Sequence, residues 1–236
     1  SIPLDYEKMS ENFRYEVKFV LNEINYVVFR NWLNSKTFCV KRFPDRIINS
    51  LYFDDLDFSS VKDNLSGFPQ RDKMRLRWYE DKFSSSSNPI LEIKLKEGRL
   101  GAKDFIPSNI NSNIIHNLAI TDIHRKILNS INTSRKIPAH KFYSPSLFTT
   151  YNREYYEDKN ALRITIDDQI SYALPVHSKT ISELSKICYN KRILELKFGI
   201  ENRYYVSNII KHLNLVQVRY SKYLTGLAMF GHLNYL

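Results

Sequence analysis

A chain of 236 residues, 43% hydrophobic and 14% aromatic, holds enough apolar surface for a substantial core and has the length of one large domain, with no linker to divide it. Lys and Arg number 35 against 25 Asp and Glu, a formal net charge of +10 that calls for an anionic partner: nucleic acid, a phosphorylated substrate or an acidic membrane surface. Two cysteines, Cys39 and Cys188, without CxxC spacing, are too few for a disulfide scaffold, disfavour structural zinc and fit a reducing compartment.

No apolar run approaches the roughly 18 residues of a membrane span, and no charged-then-apolar leader opens the chain. The start at Ser1 rather than Met fits a fragment of a longer membrane-associated protein, with residues 1–236 as a single domain. The expected location is cytoplasmic, at the cytoplasmic face of a membrane.

In chain order, Phe13 to Phe19 alternates apolar residues with Arg14, Glu16 and Lys18, the pattern of a strand with one charged face. Asn22 then caps a helix whose stripe is Val28, Phe29, Trp32 and Leu33. Arg46 to Asp54 reads as a second strand, followed by a turn at Gly67-Phe68-Pro69. Arg71 to Glu80 has strict period two: Arg71, Lys73, Arg75, Arg77 and Tyr79 on one face, Met74, Leu76 and Trp78 on the other. As a strand it carries four cations about 6 to 7 Å apart.

The Ser84–Pro89 tract suits a hairpin loop, and Ile90 to Glu97 repeats the design, with Leu91, Ile93 and Leu95 opposite Glu92, Lys94 and Lys96. Gly98 and Gly101 bracket a turn before Lys103. Helical spacing follows at Ile123, Ile127, Leu128 and Ile131, behind Thr121 or Asp122 as cap. Strands resume at Ser146–Arg153, Leu162–Asp167 and Arg192–Phe198, then an amphipathic helix holds Val206, Ile209, Ile210 and Leu213. Arg219-Tyr-Ser-Lys-Tyr223 leads into a last apolar helix with Leu224, Leu227, Ala228 and Phe230.

At least five strands thus share an apolar face and a face rich in Lys or Arg, sparsely interrupted by Glu16, Glu92, Asp167 and Glu195. One such strand is best read as half of a solvated sheet. Five suggest an α+β fold: a closed antiparallel β tunnel barrel of about eight strands, charged faces lining the lumen and helices covering the outside. Clustered cations repel unless water or an anion intervenes, and a linear polyphosphate fits that need. Arg offers fixed bidentate forks and Lys mobile point charges to phosphate oxygens. The carboxylates could hold a hard divalent cation, Mn²⁺ or Mg²⁺.

The strands with Glu16-Val-Lys18, Lys73-Met-Arg75-Leu-Arg77, Glu92-Ile-Lys94, Tyr151-Asn-Arg153, Arg163-Ile-Thr-Ile-Asp167 and Glu195-Leu-Lys197, followed by Ser221-Lys222-Tyr223, stand in the order of a triphosphate tunnel metalloenzyme. Over roughly residues 11 to 232 the chain resembles, more narrowly, the catalytic domain of the vacuolar transporter chaperone (VTC) polyphosphate polymerases. The resemblance implies a metal-dependent polymerase that extends polyphosphate from ATP or another nucleoside triphosphate. It implies Arg75, Arg77, Arg153 and Lys222 as catalytic contacts. Lys18, Lys73, Lys94, Lys103, Arg163, Lys197, Arg219 and Ser221 follow as phosphate-binding positions, with Glu195 as principal and Glu92 and Glu16 as secondary metal ligands. The wider superfamily opens with Glu-x-Glu-x-Lys, whereas Arg14 stands at the first acidic position here, which resembles the VTC branch and argues against a two-metal site on the first strand.

Two alternatives stay open: an inorganic tripolyphosphatase or nucleoside triphosphatase of the same fold, and a non-catalytic polyanion-binding module. Nucleic acid is the less favoured anion, and a membrane-embedded partner or a missing membrane segment is compatible with the resemblance. The six histidines show no HxxxH or HExxH spacing and receive no role, and Ser221 lacks the Gly-x-Ser-x-Gly context of a nucleophile. Lys41-Arg42 and Lys186–Arg192 read as solvated faces.

Overall fold

The structure is a computed structural model that describes residues 14–55, 58, 70–81, 87–97, 100–134 and 143–232. The expected turns at Gly67–Pro69 and Gly98, and residues 84–86 of the Ser84–Pro89 loop, lie outside the described residues. The strands are β1 (Arg14–Leu21), β2 (Val40–Asp54), β3 (Gln70–Asp81), β4 (Ile90–Glu97), β5 (Leu100–Pro107), β6 (Ser144–Glu157), β7 (Arg163–Ala173), β8 (Ile187–Cys188) and β9 (Arg192–Gly199). Among the described residues four α-helices accompany them: α1 (Glu23–Lys36), α2 (Ile120–Ser134), α3 (Arg203–Ile210) and α4 (Lys222–Met229).

The fold is α+β, built on one antiparallel sheet in the order β1-β9-β7-β6-β2-β3-β4-β5, with β8 paired to β7. Among the described residues no hydrogen-bonded pairing joins the terminal strands β1 and β5. No helix among them is long and apolar enough to cross a membrane. The chain divides into two compact units, Ser1–Asp45, Asn152–Ile170 and Asn190–Tyr220 in the first, and Arg46–Tyr151, Ser171–Tyr189 and Ser221–Leu236 in the second.

In the first unit, Phe19 and Leu21 of β1, Ile164 and Ile166 of β7, and Leu194, Leu196 and Phe198 of β9 build an apolar face. Against it pack Phe29, Trp32 and Leu33 of α1, and Val206 and Leu213 in and after α3. Asn22 caps α1 as expected, its side chain accepting from the Asn25 amide at 2.8 Å. Val28 departs from the expected stripe: it is exposed with Ile24 and Val27, because the apolar arc of α1 is wider than the face the sheet covers. The Trp32 indole donates to the Ile209 carbonyl at 2.7 Å, tying α1 to α3.

In the second unit β3 alternates as its period predicts, with Met74, Leu76 and Trp78 buried. They join Leu51, Phe53, Leu91, Ile93, Ile106 and the α2 stripe Ile120, Ile123, Ile127 and Ile131. The sequence reading misses β5: Gly101, expected in a turn, lies within that strand opposite Lys96. β8, only two residues long, was also not legible, and β2 starts at Val40, before the expected Arg46. α2 begins at Ile120 because its first amides are met by backbone, Ile120 bonding the Lys179 carbonyl and Thr121 that of His177, rather than by a Thr121 or Asp122 side chain.

Candidate phosphate-binding faces

In the second unit Arg75 and Arg77 stand on the face of β3 opposite Met74, Leu76 and Trp78 of the core. Arg75 and Arg77 are shielded, their side chains 24% and 11% exposed. Glu92 sits opposite Arg75 in the β3–β4 register, its Oε2 accepting from Arg75 Nε at 2.7 Å and lying 3.8 Å from Arg77 Nη1. Burial opposes the Arg75 charge, but the oxygens of Tyr52, Glu92 and Tyr151 outweigh it and hold the pKa above the usual arginine value.

Arg77 donates to Ser50 Oγ at 3.3 Å and to the Tyr151 hydroxyl at 3.4 Å. The Lys222 ammonium stands 4.5 Å from the centroid of the same Tyr151 ring. Tyr151 therefore links two cations that the sequence places 145 positions apart, Arg77 and Lys222 (222 − 77). Its motif drew attention to Arg153 alone. Next along the sheet, Lys73, Lys94 and Lys103 occupy directly opposed positions of β3, β4 and β5. Like charges in such positions repel. Arg71 lies opposite Lys96 in the same register.

Beside this face, Ser221 serves as N-cap of α4, accepting from the Leu224 amide at 3.4 Å. Tyr223, buried, donates to Asp54 Oδ2 at 2.7 Å, and Ser146 Oγ lies 3.0 Å from the same hydroxyl. Burial first, then the Asp54 charge, raise the Tyr223 pKa far above the ordinary value, so the phenol stays protonated. Gly226 admits close packing: a Cβ there would lie 2.5 Å from Tyr172 Cδ1 and 2.6 Å from Leu147 Cδ2. At the far end of β3, His116 Nε2 contacts Glu80 Oε1, which also accepts from Asn49 Nδ2 at 3.1 Å. The His116 hydrogen bond is the main cause that holds the Glu80 pKa below the usual carboxylate range. No spacing rule links residues 36 positions apart on a strand and on the short 3-10 helix Ile115–Asn117.

The charged face of the first unit is organised differently. Glu16 of β1 is opposite Lys197 of β9 and Lys18 is opposite Glu195, so opposite charges face one another across the strands. Along each strand Glu16 pairs with Lys18 at 2.7 Å and Glu195 with Lys197 at 2.8 Å. Arg163 continues the row opposite Lys197, and its guanidinium meets Glu157 at 3.3 Å. Arg153 forks onto buried Asp167 at 2.5 and 2.8 Å, which places Asp167 as the anchor of that arginine. Lys18 Nζ also donates to the Tyr220 carbonyl at 3.2 Å, beside exposed Arg219. The side chain of Lys103 lies outside what the structure describes.

Among the described residues, no cluster of three or more His, Cys, Asp or Glu side chains could hold a metal. Glu16 and Glu195, diagonal neighbours on one face of β1 and β9, supply carboxylate oxygens of the kind a hard cation takes when phosphates complete its shell. Glu92 is instead bound by Arg75.

No curated protein sequence matches the chain. Among solved structures, it is similar to the PH1819 protein from Pyrococcus horikoshii OT3, with 14% identity, a TM-score of 0.51, and coverage of 93% of this chain and 99% of that one. It is also similar to a candidate adenylate cyclase from Vibrio parahaemolyticus (11% identity, TM-score 0.48, coverage 90% and 96%). A third is a candidate adenylyl cyclase from Hippeastrum with a dominant triphosphatase activity (12%, 0.48, 94% and 98%). The first likeness concerns the fold alone. The family model of the VTC domain matches residues 13–231, nearly the whole chain carrying the faces described above, and the chain belongs to the VTC domain family.

Proposed function

We propose that the protein is a metal-dependent polyphosphate polymerase that transfers the γ-phosphate of ATP to a growing polyphosphate chain. The observation that carries this reading is the shielded set of Arg75, Arg77 and Lys222 organised around Tyr151 and Glu92. Deeply placed cations of fixed geometry suit a chain of phosphates better than a solvated surface does. The Lys73–Lys94–Lys103 row supplies further positive charge in the same unit. A closed tunnel, the architecture implied by the VTC resemblance, belongs to the same proposal. So does a cytoplasmic location at a membrane face, where an embedded partner could accept the product.

In this reaction a terminal phosphate oxygen of the polymer attacks the γ-phosphorus, the bond to the β-bridging oxygen breaks, and nucleoside diphosphate leaves with that oxygen. The nucleophile is already anionic at neutral pH, so no side chain needs to remove a proton. Arg75, Arg77, Arg153 and Lys222 hold the phosphates in line and neutralise their charge. Lys18, Arg163, Lys197, Arg219 and Ser221 bind flanking phosphates, as do Lys73, Lys94 and Lys103. Glu195, with Glu16, would hold Mn²⁺ or Mg²⁺, which would supply neutralisation of the phosphate charge.

Incubation with ATP and Mn²⁺ followed by a polyphosphate assay tests the proposal, with Arg75→Ala and Glu195→Gln as controls. Chains that lengthen with wild type and not with either variant support it. Phosphate release without polymer points to the tripolyphosphatase reading. Metal-independent binding without turnover, weakening steeply with salt, points to a polyanion-binding module.

A further inference from the structure

On the helix-covered side of β1 and β9 opens a cavity of about 470 Å³, within the range of small-molecule sites. Tyr15 and Val17 reach it from β1, since alternate residues of a strand share a face, whereas Lys18, and Lys197 on β9, project from the opposite face. Its floor is aromatic: Tyr15 stands opposite Phe198 in the strand register and stacks on it with centroids 5.6 Å apart. Ile210 and Leu215 extend the apolar lining. The Val218 amide donates to the Lys18 carbonyl at 2.9 Å, which holds the rim around Asn214 and Gln217 against β1.

Two cations edge this apolar hollow. Arg203 and Lys211 lie with Ser207 midway between them, each step four residues, so all three fall on one side of α3 and the turn that follows. The Arg203 guanidinium carbon stands 5.9 Å from the Tyr15 centroid. Among the described residues no carboxylate forms an ion pair with Arg203 or Lys211. Glu16, the acidic residue that borders the cavity, has its carboxylate drawn to Lys18 at 2.7 Å.

This combination selects a ligand chemistry. A chain of phosphates could meet the two cations but would leave the rings wet, and an uncharged apolar molecule would cover the rings but leave the cations without an anion. A flat apolar body carrying one anionic group satisfies both. Its body would lie on Tyr15 and Phe198, and its oxygens would meet the planar fork of Arg203 and the Lys211 ammonium. The Ser207 hydroxyl and the carboxamides of Asn214 and Gln217 offer further hydrogen bonds at the edge.

We propose that this cavity is a binding site for a small aromatic carboxylate, separate from the phosphate-binding faces. Occupancy needs neither Lys18 nor Lys197, and the inference does not rest on the polymerase reading.

Titration of the whole chain with anilinonaphthalenesulfonate tests it: the sulfonate stands in for the carboxylate, and the emission rises when the rings leave water. One saturable site is expected. Naphthoate should displace the probe about tenfold more effectively than uncharged naphthalenemethanol, and tripolyphosphate should not displace it. Ser207→Phe, which fills the cavity, is expected to abolish the saturable emission. Arg203→Gln and Lys211→Gln, at exposed positions, should each weaken probe binding about threefold or more. An unchanged urea midpoint shows that each variant is folded, and should Ser207→Phe fail that control, the two charge variants decide. Saturable emission that survives every folded variant, equal displacement by naphthoate and naphthalenemethanol, or displacement by tripolyphosphate overturns the proposal.

Discussion

Arg75 and Glu92 occupy opposed positions of β3 and β4, and both Nε and Nη2 of the arginine converge on one carboxylate oxygen, at 2.7 and 2.6 Å. The carboxylate fixes the guanidinium but also places negative charge where phosphate is proposed to bind. Glu92→Gln is therefore expected to lower stability by about 1–3 kcal/mol while tightening tripolyphosphate binding severalfold. Urea unfolding and calorimetry read the two effects separately, and weaker binding together with lower stability would count against Glu92 as a tuning group.

Tyr223→Phe removes a buried donor from Asp54, which is 1% exposed. A loss of about 1–3 kcal/mol in urea unfolding is expected, because the carboxylate stays buried with one fewer partner. The pH dependence has a definite sign. Folding raises the Tyr223 pKa, so above about pH 10 the unfolded chain binds fewer protons than the folded one and stability falls as pH rises. That alkaline loss should be smaller in Tyr223→Phe.

The acid side belongs to Glu80. Its pKa is lowered, chiefly by the His116 hydrogen bond, so its contribution is fully present above about pH 4.3 and is lost as pH falls through the folded-state value. The stability difference between wild type and Glu80→Gln is expected to be level near neutrality and to shrink below that pH, as unfolding titrations would show.

Gly226→Ala should destabilise by about 1–3 kcal/mol, even though alanine is the better helix former, because its Cβ would press on buried Tyr172 and on Leu147. A thermal melt at or above the wild-type temperature would show that α4 can shift away from both.

Much of this was legible in the residues. Strict alternation in Arg71–Glu80 fixes which side chains of β3 enter the core, since a one-residue slip would expose Met74, Leu76 and Trp78 together. The helix at 23–36 announced itself by Asn22 and its buried stripe. β5 did not, because Leu100-Gly-Ala-Lys-Asp-Phe-Ile-Pro has glycine at the second position and Asp104 interrupts the period-two apolar positions Leu100, Ala102 and Ile106, and its pairing with β4 supplies what its sequence lacks. In the site, strand periodicity reveals faces but not partners. Asp167 looked like a neighbour of Arg163 on its own strand, whereas its carboxylate serves Arg153 on β6. The His116–Glu80 contact and the role of Tyr151 between Arg77 and Lys222 depend on distant segments that no local pattern joins.

Lys73 and Lys94 sit opposite one another on neighbouring strands about 4.8 Å apart, so on the proposed reading an anion lying across them would touch β3 and β4 at once. On that reading occupancy and strand pairing would become a single equilibrium: each ligand bound to the folded form would add to the free energy that keeps β3 and β4 together. The melting temperature of the protein would act as a gauge of polyphosphate concentration. On that reading the ribbon would be loosest when starved of polymer and stiffest when saturated with it.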